Sequence, residues 1–259
     1  MIMMVYDNIM ILSQTNVILV FGIGMPHGQY WQTVRRFTLR QMRDLGMGKS
    51  KLTSTVHYEA AELVKAMKKY SGECKPLSSD IRVAVINILW TMIASKRFEF
   101  DEKSVLEYDK AFAQFMASLE KVLLVDIFPW LKLILPTSLL NYLTKRNHHE
   151  ILSNILEPQV EECVEEHIKT FVENNPRDYI DEFLIEMKKE KGLLDSKFSL
   201  RDLVVSLADL FGAGFQSTAM TLTWAVFYMT KFPNVQKKLQ KEIDEVLPNG
   251  IQVTLEDKL

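Results

Sequence analysis

The chain has 259 residues, of which 47% are hydrophobic and 25% charged, a composition that supports one large globular core and disfavours intrinsic disorder. Its net charge of −2 gives no indication of a nucleic-acid partner. Two cysteines, Cys74 and Cys163, form no disulfide framework and fit a reducing compartment, and 10 glycines with 8 prolines disfavour an all-β fold with its many tight turns.

The amino-terminal segment is apolar in patches. Polar residues interrupt it at Asp7, Asn8, Gln14 and Asn16, well short of the roughly 20 apolar residues that a membrane span needs. The segment also lacks the basic flank of a secretory signal. We therefore expect no membrane anchor and no targeting peptide, and we separate residues 1–20, as an atypical segment, from one domain over residues 21–259.

Helical periodicity dominates the rest of the chain. It predicts helices over residues 29–46, 52–70, 80–94, 104–121, 139–174, 178–191, 199–231 and 233–247. Residues 126–138 cannot form one regular helix, because Pro129 and Pro136 interrupt the backbone hydrogen bonds. Strands are expected only as short pieces, at residues 252–253 and near Pro76. The sequence therefore predicts a mainly α fold.

The first predicted helix carries Trp31 and Arg35, which are four residues apart and so share one face. An indole N–H donates one hydrogen bond, and a guanidinium can bind a carboxylate through two. The pair would suit the carboxylate arm of a cofactor, and a simple cation–π pair explains the same spacing.

A run of basic residues continues the same helix. Arg36, Arg40 and Arg43 are opposed there only by Asp44. Such a run is usually a solvated face, and it can also steer an acidic protein partner toward the surface over the site.

The longest predicted helix has a single charge, Asp209, between Leu203 and Thr230. Apolar residues lie all round it, so it is either a membrane span or the buried centre of a large all-α protein. Its middle, residues 211–218, reads Phe-Gly-Ala-Gly-Phe-Gln-Ser-Thr. Small residues beside hydroxyls let a flat ligand approach the backbone and favour a local kink or bulge. A packing notch made of small residues, or a membrane helix, explains the same octet.

Cys163 and His167 have the spacing of metal ligands, with His148 and His149 upstream. Four glutamates flank the pair and no further ligand pair follows. We therefore interpret these side chains as solvated residues on a charged helix rather than as a metal site.

The tryptophan–arginine helix and the octet, in this order and about 180 residues apart, resemble the cytochrome P-450 superfamily. Trp31-x-x-x-Arg35 is similar to that family's C-helix motif, whose Trp and Arg bind heme propionates. Residues 213–218 are similar to its I-helix motif. Further matches indicate the microsomal animal branch: Arg35-Arg-Phe followed by Leu45-Gly-Met-Gly-Lys49, Lys96-Arg-Phe98, residues 175–181, and residues 232–236 leading to residues 240–243.

This resemblance implies part of the mainly α cytochrome P-450 fold, with a long central buried helix and heme between that helix and the Trp31–Arg35 helix. The implied heme contacts are Trp31, Arg35, Ala213, Gly214 and Ser217. The implied catalytic residues on the oxygen side are Gln216, Ser217 and Thr218. The candidate substrate-wall residues, chosen from helix order, are Asp209, Leu210 and Phe215 on the long helix and Phe112, Phe115 and Met116 on an earlier one.

The resemblance also implies an activity and partners. The reaction would insert one oxygen atom of O2 into a lipophilic substrate. NADPH-derived electrons would come from a flavoprotein reductase that docks near Arg36, Arg40 and Arg43. Full-length members of the family lie in the endoplasmic reticulum membrane, to which this chain would be joined only through an anchor that its sequence lacks.

Two residues depart from the family pattern. Gln216 stands where Glu or Asp is usual, and Ser217 stands where Thr is usual. A glutamine side chain cannot ionise but still hydrogen-bonds water, and serine keeps the hydroxyl without the methyl group that restricts its rotamer. Proton delivery on this helix would therefore depend on a less restricted hydroxyl.

The last residues indicate truncation. Residues 254–257 have the form of a helix capping box, and the chain stops two residues later. The family's Glu-x-x-Arg helix and cysteine loop are absent, and neither Cys74 nor Cys163 has the context of an iron ligand. We therefore expect no metal ligand in this chain and no activity from it alone. The alternative is an unrelated, non-catalytic helical interaction protein or membrane-helix protein.

We accordingly predict that the 259-residue polypeptide, expressed with hemin and reduced under carbon monoxide, gives no thiolate-type absorption band, because no cysteine is placed to bind iron. The measurement is the reduced carbon-monoxide difference spectrum. A normal thiolate-type spectrum would contradict the prediction.

Overall fold

The computed structural model describes residues 22–24, 28–73, 78–100, 102, 105, 107, 110, 127–128, 130–144, 146–190, 198–247 and 253–254. Regular structure within these ranges is helical throughout. The main elements are α1 (Gly28–Leu45), a 3-10 turn (Ser50–Leu52), α2 (Thr53–Lys69), α3 (Ser78–Ala94), α4 (Leu131–Ile134), α5 (Thr137–Thr144), α6 (Arg146–Thr170), α7 (Tyr179–Glu190), α8 (Leu200–Lys231) and α9 (Pro233–Val246). The prediction of a mainly α fold is confirmed.

The carboxyl-terminal boundary of α6 differs from the sequence prediction. The predicted helix over residues 139–174 extends to residue 174, whereas α6 ends at Thr170. Residue 145, between α5 and α6, lies outside the described residues. The predicted helix over residues 104–121 lies mostly outside the described residues, as do Pro76 and Gln252; Val253 is not in a strand.

α8 is the central helix and packs along α3 and α6. In its first half the side chains of Leu203, Leu207 and Phe211 are at most 1% exposed. In its second half large apolar side chains such as Trp224 and Phe227 are about half exposed. α8 is long and apolar enough to cross a membrane, but half of its apolar stretch is buried inside the protein. This packing favours the core-helix interpretation over the membrane span.

Aromatic contacts join α1 and α3 to this core. The Phe37 ring of α1 lies 5.6 Å from the Phe183 ring of α7 and 5.0 Å from the Phe198 ring, both edge-to-face. This geometry aligns the positive ring edge with the negative ring face, so it orients α1 as well as burying apolar area. Trp90 of α3 contacts Phe211 of α8 at 5.4 Å in a tilted arrangement.

The amino-terminal end of α8 is held by a capping box that also binds α1. The backbone N–H of Asp202 donates to Ser199 Oγ at 3.2 Å, and Ser199 N–H donates back to Asp202 Oδ2 at 3.0 Å. The Tyr30 hydroxyl of α1 donates to the same carboxylate oxygen at 2.5 Å. Burial raises the pKa of Asp202, although the hydrogen bonds from Ser199 and Tyr30 oppose that shift. The start of α8 at Ser199, expected from the sequence, therefore also positions α1.

A buried carboxylate joins α2, α3 and the segment after α3. Glu59 is only 1% exposed. It accepts hydrogen bonds from Arg97 Nε at 2.7 Å and from Asn87 Nδ2 at 3.1 Å. Asn87 in turn pairs with the backbone of Phe98 through both its amide nitrogen and its amide oxygen. A buried charge of this kind is tolerated only while its partner remains.

Cys163 and His167 are not solvated, so that sequence interpretation is wrong. Their side chains are 2% and 5% exposed, because the face of α6 that carries them packs against its neighbours. His167 Nδ1 lies 2.6 Å from the Cys163 carbonyl oxygen, and Nε2 lies 2.8 Å from Asp178 Oδ2. Both neighbours are acceptors, so both ring nitrogens must carry a proton. His167 is thus held as a buried cation.

His167, Asp178 and Asp181 bring their ligand atoms within 4.8 Å of one another, but hydrogen bonds already engage them. Asp181 binds Arg177 through both carboxylate oxygens, at 2.7 and 2.9 Å, and Asp178 is bound by His167. The group is therefore an ion-pair network rather than an open metal site.

Arg97→Leu is expected to destabilise the protein by about 3 kcal/mol, because it leaves the buried Glu59 carboxylate without its cation. Lys169→Leu is the matched control: Lys169 and Glu165 form an ion pair in which both side chains are about 70% exposed, and its loss costs about 0.5 kcal/mol or less. Urea unfolding measures both. Equal losses in the two variants would contradict the buried-charge explanation.

The stabilisation from His167 is expected to fall as pH rises. Burial lowers the pKa of His167, but the hydrogen bond to Asp178 and its charge outweigh burial, and the pKa is raised above the ordinary value of 6.5. Because the folded-state pKa is the higher one, the contribution is complete below pH 6.5 and is lost as pH rises through the raised pKa.

The measurement for this effect is the difference in unfolding free energy between the natural chain and His167→Gln, taken as a function of pH. Glutamine does not titrate, so the difference should shrink as pH rises. A difference that stays constant or grows with pH would contradict a cationic His167.

Candidate functional site

Trp31 and Arg35 of α1 direct their donors at one oxygen atom. Trp31 Nε1 donates to the carbonyl oxygen of Ile23 at 3.1 Å, and Arg35 Nη1 donates to the same oxygen at 2.7 Å. The guanidinium carbon also lies 5.5 Å from the centre of the Trp31 ring. The two sequence interpretations of this pair therefore coexist, since a cation–π contact accompanies two convergent hydrogen bonds.

Asp209 of α8 holds the other side of the same short segment. Its Oδ2 accepts hydrogen bonds from the backbone N–H groups of Ile23 at 2.8 Å and Gly24 at 2.9 Å. Burial raises the pKa of Asp209, and the two N–H donors partly oppose that shift. The single charge of the long apolar helix is thus satisfied by backbone donors rather than by a cation.

One peptide unit is bound at both ends by this arrangement. The peptide between Ile23 and Gly24 presents its C=O to Arg35 and Trp31 and its N–H to Asp209. Its dipole therefore lies between a cation and a carboxylate, and hydrogen bonds in series polarise and strengthen one another. We call this unit the Ile23–Gly24 peptide.

Glycine is required at position 22 and a Cβ is accommodated at position 24, a difference that the sequence analysis did not detect. A Cβ on Gly22, whose φ is +90°, would lie 2.5 Å from Asp209 Oδ2 and 2.6 Å from Val205 Cγ1. A Cβ on Gly24 would lie 3.4 Å from both carboxylate oxygens. The sequence contained a sign of this contact, a Gly-x-Gly segment together with one acid, Asp209, on an apolar helix. A carboxylate in such surroundings needs hydrogen-bond donors.

Three of the residues predicted near the heme lie on the same face of α8 as Asp209. Ala213, Gln216 and Ser217 follow Asp209 by four, seven and eight positions, so they share its face. Ala213 and Ser217 are exposed, and Ser217 Oγ donates to the Ala213 carbonyl oxygen at 2.9 Å. Gln216 Oε1 is enclosed without a hydrogen-bond partner. The expected bulge is absent, since residues 200–231 form one continuous α-helix.

The remaining candidates on α8 are placed differently from one another. Thr218 is exposed. A Cβ on Gly214 would lie 3.1 Å from Leu89 Cδ2 of α3, so close helix packing accounts for this glycine. Phe215 is fully buried beside Phe211 and is enclosed by the core, whereas Leu210 is partly buried. Phe112, Phe115 and Met116 lie outside the described residues.

The basic residues of α1 form an exposed surface. Arg36, Arg40 and Arg43 are all exposed, on the side of the helix away from its buried residues such as Val34 and Met42. Arg40 lies over the Phe37 ring at 6.0 Å. This surface is therefore open to a protein partner, and it lies on the same helix as Trp31 and Arg35.

The donor set fits the acidic arms of a cofactor. Two half-buried N–H donors already converge on an oxygen atom, and the guanidinium keeps further N–H groups for a second acceptor. A thiolate ligand for iron does not occur among the described residues, since their only cysteine, Cys163, is buried in α6. Cys74 lies outside them.

Comparison with known proteins gives consistent relatives. The family model described as cytochrome P450 matches residues 10–258. Cytochrome P450 2L1 of Panulirus argus is 33% identical over 239 residues, which cover 92% of this chain and 48% of that protein. Cytochromes P450 2C25 of Mesocricetus auratus and 2C29 of Mus musculus are each 34% identical over 242 residues, covering 92% of this chain and 47% and 48% of those proteins. The chain spans about half the length of the curated relatives it matches.

Gly22→Ala is expected to destabilise the chain more than Gly72→Ala does. Gly72 has nearly the same φ, +93°, but a Cβ there would meet nothing within 4 Å, so its replacement costs only the backbone conformation, about 1 kcal/mol. Gly22→Ala adds the clash with Asp209 and Val205, worth about 1–3 kcal/mol more. Urea unfolding of both variants checks this, and equal losses would contradict the close packing of Gly22.

Proposed function

The chain belongs to the cytochrome P450 family, and we propose from that membership that it forms the helices on either side of the heme in a heme-dependent monooxygenase. The reaction would insert one oxygen atom of O2 into a lipophilic substrate. Heme, when bound, would supply the iron that activates oxygen. An unrelated helical interaction protein or membrane-helix protein does not agree with a family match over most of the chain.

The observation that carries this proposal is the convergence of Trp31 Nε1 and Arg35 Nη1 on one carbonyl oxygen. A carbonyl oxygen occupies the position that a carboxylate oxygen would take. Charge-assisted hydrogen bonds from a guanidinium to a carboxylate are stronger than those to a neutral acceptor. We therefore assign Trp31 and Arg35 to the heme propionates, with Ala213, Gly214 and Ser217 on the long helix near the heme face.

Gln216, Ser217 and Thr218 are proposed to serve the oxygen side. The Ser217 hydroxyl donates a hydrogen bond to the Ala213 carbonyl oxygen, so the hydroxyl must rotate before it can donate a hydrogen bond to a bound molecule. Gln216 cannot ionise, but its enclosed Oε1 lacks a partner and could accept a hydrogen bond from a water molecule. These side chains would hold and orient water rather than exchange a carboxylate proton.

Substrate contacts are proposed for Leu210 and Asp209. Both lie on the part of α8 that precedes the octet, each is only partly buried, and Asp209 binds the backbone of residues 23 and 24. Phe215 contributes to the core instead, because its side chain is 0% exposed. For Phe112, Phe115 and Met116 a substrate contact stays a prediction.

A flavoprotein reductase is the proposed electron donor. The exposed face of Arg36, Arg40 and Arg43 would attract an acidic surface and raise its rate of association. Electrons would originate from NADPH. The endoplasmic reticulum membrane is the proposed location, by analogy with full-length members of the family.

Trp31→Phe and Arg35→Leu are each expected to weaken hemin binding by about tenfold or more, because each removes a hydrogen bond to a charged propionate. Gln32→Ala is the control: Gln32 is exposed beside Trp31, and its loss should leave the affinity unchanged. Titration of the chain with hemin, followed by absorbance, gives the three affinities. Unchanged binding in both test variants would overturn the proposal.

A further inference from the structure

The Ile23–Gly24 peptide connects two parts of the proposed site that lie on different helices. Its carbonyl oxygen is held by Arg35 and Trp31 of α1, and its N–H is held by Asp209 of α8. Gly22 leaves the carboxylate room to reach the backbone, since a Cβ there would lie 2.5 Å from Asp209 Oδ2. The Ile23 side chain, 8% exposed, belongs to the hydrophobic core.

We propose that Asp209 is a positioning residue for the acid-binding pair, acting through the Ile23–Gly24 peptide. The inference rests on the proposed function of Trp31 and Arg35. Asp209 fixes the peptide, and the peptide oxygen holds the Trp31 and Arg35 donors directed at one position. A carboxylate oxygen takes that position when the cofactor binds. Recognition of the cofactor's acid groups is thereby linked to a residue on the substrate side of α8.

The flexibility of the segment makes this support necessary. A stretch with two glycines loses more conformational entropy than other residues do when it is fixed, and arginine side chains have many rotamers. Without the two hydrogen bonds to Asp209 Oδ2, the Ile23 carbonyl oxygen would lose its defined place. Arg35 and Trp31 would then have to be ordered by the cofactor itself, which weakens binding.

Two substitutions can distinguish whether Asp209 acts as a hydrogen-bond acceptor or through its negative charge. Both N–H groups donate to one oxygen, Asp209 Oδ2. An asparagine amide oxygen can accept both bonds without a negative charge, whereas a leucine of similar size accepts neither. Asp209→Asn should therefore preserve the arrangement and Asp209→Leu should remove it.

The first test uses the chain without cofactor. Amide hydrogen exchange of Ile23 and Gly24 should be slow in the natural chain and in Asp209→Asn, and at least about tenfold faster in Asp209→Leu, because a hydrogen-bonded amide exchanges only when it opens. Leu207→Ala is the control, since Leu207 is fully buried in α8 and its truncation lowers stability while leaving the Asp209 acceptor for the two N–H groups in place. Slow exchange in Asp209→Leu would overturn the anchoring of the peptide by Asp209.

The second test measures selectivity for acid groups. Affinities are compared for hemin, which has two propionates, and for hemin dimethyl ester, in which both are blocked. The natural chain, Asp209→Asn and Leu207→Ala should prefer the diacid by about tenfold or more. Asp209→Leu should lose that preference, whereas a purely structural role would weaken both ligands equally and leave the ratio unchanged.

The two possible failures are distinguishable. If the natural chain prefers the diacid and Asp209→Leu retains the same ratio, the positioning role is overturned while the proposed function stands. If the natural chain itself shows no preference for the diacid, the assignment of Trp31 and Arg35 to the propionates is overturned, and the link from Asp209 to cofactor recognition fails with it.

Discussion

The structure around the candidate site depends on a partly buried carboxylate in the first half of a long apolar helix. Asp209 is the single charge along most of α8, and a carboxylate removed from water needs hydrogen-bond donors. The neighbouring chain segment meets that need with two backbone N–H groups at 2.8 and 2.9 Å. This constraint explains why residues 22–24 lie against α8 and why position 22 is a glycine. The carbonyl oxygen of Ile23 is then bound by Trp31 and Arg35 of α1.

α1 and α8 are consequently tied together at two levels. At the amino-terminal end of α8, the Tyr30 hydroxyl binds the capping carboxylate of Asp202. Two turns further along α8, Asp209 is joined through the Ile23–Gly24 peptide to the next residues of the same helix, Trp31 and Arg35. The Tyr30–Asp202 hydrogen bond fixes the point at which α1 meets α8. The Ile23–Gly24 peptide fixes the direction in which Trp31 and Arg35 point their N–H groups. Together these contacts join a cationic donor pair, through one peptide, to the face of α8 that carries Asp209.

The sequence predicted the features that depend on local pattern. Helical periodicity located the main helices, including the long one predicted from residue 199, which is the N-cap of α8. The spacing of Trp31 and Arg35 placed them on one face. The sequence missed features set by contacts between distant segments. His167 carries charge and stands among glutamates, yet it is buried because Asp178 lies opposite it. Ser217 bonds back to Ala213, yet residues 200–231 form one continuous α-helix.

A double-mutant cycle between Asp209 and Arg35 tests the central claim most directly, since the two side chains do not need to touch if they hold one peptide. The unfolding free energies of Asp209→Leu, Arg35→Leu and the double variant would be measured. A shared peptide predicts that the double variant loses less than the sum of the single losses, by about 1 kcal/mol. Additive losses would contradict the coupling of α1 and α8 through the Ile23–Gly24 peptide.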